Sequence, residues 1–118
     1  MGTGARGEAF LQAGDESYPI LFTNRAIFDA ERVTGKPVLR IIGTISDQTL
    51  SMGDLVQLLL IGMEYGRRDA HQDNRPYTLK NAWEIIDAVG FRGVMAAVFE
   101  ALAEVLNYSQ EDESPPEE

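Results

Sequence analysis

Few side chains in this sequence could do chemistry, and they are poorly gathered. His71 is the single histidine and stands between Asp69 and Asp73, a grouping that could bind a metal ion or exchange protons. Either role needs a shaped pocket and further ligands at workable spacing. The surrounding residues are polar and aperiodic, so His71 reads as a solvated loop residue. The carboxylate pairs Asp29 and Glu31, Glu84 and Asp87, and Glu100 and Glu104 could serve paired acid chemistry. Each pair falls on the polar face of an amphipathic helix, where solvation is its ordinary use. The glycines do not follow a strand, Gly-x-Gly-x-x-Gly, helix order, so no nucleotide site is indicated. The residues point to no enzyme, with no catalytic, cofactor-binding or metal-binding residue and no cofactor.

The elements that would position any site fit one domain, since 118 residues can bury a real core without staples. There is no cysteine, which removes disulfides and thiolate metal sites and fits a reducing compartment. No basic, then apolar, N-terminal segment marks a secretory signal. No apolar run approaches the roughly 18 residues of a membrane span; the longest, Leu55 to Met63, is interrupted by Gln57 and Gly62. The expectation is a soluble, intracellular protein.

The formal net charge is −9, yet residues 109–118 hold five acids and no base, leaving −4 for the rest. A phosphate-binding surface needs clustered Lys and Arg. The one dense pair, Arg67-Arg68, is followed by Asp69 and Asp73, so neither nucleic acid nor membrane is an expected partner.

The sequence predicts an α+β fold, an N-terminal β-hairpin packed on a cluster of about four α-helices. Residues 1–6 are small and flexible, 7–107 form the domain, and 108–118 form a disordered acidic tail. Strands are expected over Glu8 to Ala13 and Tyr18 to Phe22, around a Gly14-Asp15-Glu16-Ser17 turn. Pro19 places the second strand at an edge or delays its start. A first helix spans Asn24 to Thr34, capped by Thr23 or Asn24 and stopped by Gly35, with Ala26, Ile27, Ala30 and Val33 inward. A short helical segment runs from Pro37 to Ile42, ended by Gly43, and Thr44 to Leu50 is a loop. A central helix starts at Ser51 and is apolar nearly all round. Residues 66–77 form a polar loop. Thr78 caps a helix burying Ala82, Ile85, Ile86 and Val89, and a last helix covers Phe91 to Asn107.

The last helix carries the most informative pattern. At about 100° per residue, Val94, Val98, Ala101 and Val105 make one stripe, and Met95, Phe99, Leu102 and Leu106 a second. Both stripes can form one wide core face, or one can face the core and the other a partner. Met and Phe suit adaptable grooves and anchors. On the partner reading the contact residues are Met95, Phe99, Leu102 and Leu106, with Phe28 added from the first helix. Phe28 and Trp83 lie off the main stripes of their helices, where packing under a loop or hairpin is the ordinary fate.

The order of short motifs along residues 6–107 also resembles a family. Arg6-Gly7-Glu8 resembles its opening strand, Phe22-Thr23-Asn24 its strand-to-helix junction, and Ala30-Glu31-Arg32-Val33-Thr34-Gly35 its helix ending. The apolar helix Leu55 to Met63, the Thr78-started helix with Ile85-Ile86-Asp87 and Gly90, and Val98-Phe99-Glu100-Ala101-Leu102 follow in the same order. This is the pattern of the small tail assembly chaperones of gene transfer agents and long-tailed phages. Leu60 and Ile61 depart from it, standing where relatives often carry Trp or Ala.

The resemblance implies a non-enzymatic protein of the bacterial host cytoplasm that is absent from the mature particle. It would bind the tape measure protein, shield its hydrophobic helices, and engage the tail-tube protein; self-association is compatible with it. The alternatives are a structural tail-tube or tail-terminator subunit, or a small protein-binding adaptor.

Overall fold

The computed structural model describes residues 7–70 and 75–113, with side chains through Val105. Strands β1 (Gly7–Ala13) and β2 (Glu16–Phe22) form an antiparallel hairpin, followed by α1 (Asn24–Thr34), α2 (Val38–Ser46), α3 (Met52–Asp69), α4 (Leu79–Val89) and α5 (Phe91–Glu113). The expected α+β architecture is present, with α2 as a fifth helix. The hairpin closes tightly. Ala13 pairs with Glu16, so only Gly14 and Asp15 make the turn, with Gly14 at φ 64°. Glycine tolerates positive φ at the first central position, which a type II′ connection demands. Pro19 stays within β2, opposite Phe10, as a two-stranded sheet permits.

Local caps set the helix starts. The Thr23 hydroxyl accepts from the Ala26 N–H at 3.1 Å, and Ser51 accepts from the Asp54 N–H at 3.1 Å. Thr78 and Asn81 form a full capping box. Gly35, at φ 71°, ends α1. α2 begins after Pro37 without a cap of its own; instead the Glu31 carboxylate accepts from the Val38 N–H at 2.8 Å.

The hairpin lies against α3 through β2 and against α5 through β1, while α1 and α4 flank α3. Ile20, Phe22, Leu55, Leu58, Leu59, Met63, Val94 and Val98 are fully enclosed. β2 and α3 approach so closely that only glycine fits between them. A Cβ on Gly62 would stand 2.6 Å from Ile20 Cγ2, and one on Gly66 would enter the Pro19 carbonyl.

Several boundaries differ from expectation. α2 passes through Gly43 to Ser46, because Ile41 and Ile45 are both buried one turn apart. Their burial outweighs the roughly 1 kcal/mol helix cost of glycine. α3 passes through Gly66 to Asp69, so the polar loop begins four residues later than Gly66 suggested. α5 continues past Asn107 to Glu113. The disordered tail expected over 108–118 therefore overlaps helix, and residues 114–118, like 1–6, lie outside the described residues. Val33 is exposed rather than inward. Phe28 and Trp83, expected under a loop, are exposed too.

Because Leu59 is fully enclosed on α3, Leu59→Ala should destabilise the fold by about 2–5 kcal/mol. Denaturant unfolding at equilibrium measures this directly.

Candidate functional site

The two stripes of α5 behave differently. Val94, Val98, Ala101 and Val105 are all buried. Of the second stripe, Met95 and Phe99 are half-buried, whereas Leu102 is only 1% exposed. Leu102 is thus a core residue and not a partner contact: α5 presents more than one flank to the fold, and at position 102 both flanks are covered. The Leu106 side chain lies outside the described residues. Phe28 is 57% exposed, but it stands on α1, which does not touch α5. The structure brings Met95 and Phe99 together and leaves Phe28 apart.

Met95, Ala96 and Phe99 line a groove of about 380 Å³, closed on its other side by Ile45, Ser46 and Gln48 at the end of α2, with Arg92 at its rim. Gln48 has φ 63° and is the one non-glycine residue at positive φ among the described residues. A left-handed conformation costs a side-chain-bearing residue about 1 kcal/mol or more. Its carbonyl and N–H neighbours hold it there: the Gln48 N–H donates to the Ile45 carbonyl at 3.2 Å, and the Thr49 and Leu50 N–H groups both donate to the Thr44 carbonyl. The groove therefore has a fixed polar lip over an adaptable apolar floor. Such a surface takes apolar side chains from a partner.

A second cavity, of about 470 Å³, lies between β2, α3 and the start of α4, with Tyr18, Arg75, Tyr77 and Glu84 on its walls. Tyr18 and Tyr77 meet edge to face at 6.2 Å. Its wall is held by Glu64, a residue that the sequence reading passed over. Glu64 accepts two hydrogen bonds from the Arg67 guanidinium, at 3.0 and 3.1 Å, and a third from the Tyr77 N–H. Burial pushes the Glu64 carboxyl up, but Arg67, the Tyr77 N–H and Arg68 outweigh it and hold the group below its usual range. The charge spacing of Glu64 to Arg67 and Arg68 marks a helix-surface pair; nothing local signals the bond to Tyr77.

The pH consequence follows from the sign of that shift. A carboxyl lowered on folding stabilises the fold above its unfolded value and loses that contribution as pH falls through the folded one. Glu64→Gln should cost about 1–3 kcal/mol near neutrality. The gap from the parent protein should close in acid, as melting midpoints across pH would show.

Among the described residues, no group of three or more His, Cys, Asp or Glu side chains could hold a metal ion, and no helix is long and apolar enough to cross a membrane. His71 and Asp73 fall outside the described residues. Comparisons with protein-family models, curated proteins and solved structures find no match.

Proposed function

We propose that this protein is a non-enzymatic tail assembly chaperone that binds the tape measure protein while a phage or phage-like tail is built. The observation that carries the reading is the Met95–Phe99 groove. It is apolar, half-open and floored by side chains that repack easily, as helix-in-groove recognition requires. The order of motifs along residues 6–107 supports the same reading. The tape measure segment would seat apolar side chains of an amphipathic helix in the groove, with Arg92 and Gln48 meeting its polar flank. The tail-tube protein is a second partner on this reading. The protein works in the host cytoplasm and is left behind when the particle is complete.

One feature favours a second reading. Phe10 is 65% exposed on the outer face of β1, and among the described residues both strands have an unpaired edge, which a ring-forming tail-tube or terminator subunit could use. Mass spectrometry separates the two. A chaperone is abundant in induced cells and absent from purified tails; recovery from tails in repeating copy number would establish the structural subunit instead.

A further inference from the structure

The surface formed by α1 and α3 carries a charge opposite to that of the chain as a whole. Arg25, Phe28 and Arg32 share one exposed face of α1, since positions i, i+3 and i+7 fall together on a helix. The Arg32 guanidinium stands 5.8 Å from the Phe28 ring centre. Beside it on α3, the Arg68 guanidinium stands 5.1 Å from the Tyr65 ring centre, and the Arg68 side chain is 60% exposed.

Carboxylates offset part of this charge but leave Arg25 and Arg32 without a direct carboxylate partner among the described residues. Asp29, on the same face of α1, accepts from the Tyr65 hydroxyl at 2.7 Å, Glu31 accepts from the Val38 N–H at 2.8 Å, and Glu64 binds Arg67 at 3.0 Å and stands 3.8 Å from Arg68. The result is a locally cationic face, two unpaired guanidiniums and a third shared with Glu64 around an exposed ring, on a protein of net charge −9.

The same chain contains the complementary segment. Residues 109–118 carry five carboxylates, no base, and the Pro115-Pro116 pair, which offers carboxylates to guanidiniums and flat apolar rings to Phe28. We infer that the face of Arg25, Phe28, Arg32, Tyr65 and Arg68 docks the acidic C-terminal segment of a second copy of this chain. The segment of the same copy is poorly placed to do so. α5 touches β1, β2, α2, α3 and α4 but not α1, and it stays helical to Glu113. At 1.5 Å per residue the helix carries Glu113 about 12 Å beyond Val105, its last described core residue. The contact is electrostatic, so it weakens with added salt. It is independent of the role proposed for the groove, since no tape measure protein takes part.

The absence of cysteine makes the test direct. The full chain with Ser114→Cys takes a single nitroxide label and is mixed with an isotope-labelled, unmodified copy. The expected result is loss of most amide intensity at Arg25, Phe28, Arg32 and Arg68 of the unmodified copy, reversed by salt. Arg25→Glu with Arg32→Glu in that copy should weaken the association by about tenfold or more, because like charges then face each other, while its amide spectrum keeps the dispersion of a folded domain. No intensity loss in the mixture would overturn the inference. In a second sample, whose chains carry label and isotope together, loss that survives dilution with unlabelled, unmodified protein marks docking within one copy and would overturn it too. Loss centred on Met95 and Phe99, or persistence of the effect in the double variant, would overturn it as well.

Discussion

Val98→Asp should unfold the protein, while Met95→Glu and Phe99→Glu should leave it folded and unable to retain a tape measure segment. Val98 is fully enclosed on α5, the helix that packs against the hairpin. A carboxylate there must be buried without a partner or must force the helix away. The cost is about 4 kcal/mol or more, at the extreme of single substitutions and comparable to the whole stability of a small domain. Met95 and Phe99 are only half covered, so a carboxylate at either position can reach water. Their loss of burial costs about 1–1.5 kcal/mol, roughly half of that for a fully buried large side chain. Circular dichroism melting curves and pull-down of the segment, run on all three variants, measure the two effects separately. Loss of fold in every variant would make α5 a core element only and place any binding surface elsewhere.

Glycines at two helical positions should respond to alanine with opposite signs. Gly66→Ala pushes a methyl into the Pro19 carbonyl, a backbone atom fixed by the hairpin. Helix and strand must separate, at about 1–3 kcal/mol for overpacking of this kind. Gly43→Ala on α2 meets nothing within 4 Å, so alanine's better helix propensity should raise stability by about 0.5–1 kcal/mol. Both substitutions improve local propensity equally. A difference in sign between them, read from chemical denaturation, isolates the packing of α3 on β2; two stabilising results would mean that the gap there is wider than described.

Those two glycines also show what the sequence conveys and what it hides. Capping chemistry is local, so Thr23, Ser51, Thr78 and Gly35 mark their helix ends within a few residues. The buried stripe from Val94 to Val105 is likewise visible in its spacing. A glycine carries two meanings, however. Gly43 and Gly66 suggest stops, yet Gly43 is carried by the burial of Ile41 and Ile45 around it, and Gly66 is present because β2 leaves no room for a side chain. Tertiary contact decides between the meanings, and it is not written locally. The same holds for Leu102, which shares a stripe with the half-covered Met95 and Phe99 but is itself enclosed in the fold. The groove is less legible still. Its floor from Met95 to Phe99 is apparent in α5, but nothing in the sequence tells that the end of α2 forms the opposite wall. Glu64 belongs to this class, because its hold on Tyr77 spans a loop.

The contact between Gly7 and the Ala101–Val105 turn of α5 has a kinetic meaning. The earliest strand and the final helix close on each other across nearly the whole chain, so helices α1 to α4 can consolidate while that seam is open. Closing so long a loop carries an entropy cost that local helix formation does not. Folding should therefore be slower than the helical content implies, as stopped-flow refolding would show. The chain's two ends thus meet in one core, and the last contact to form joins them.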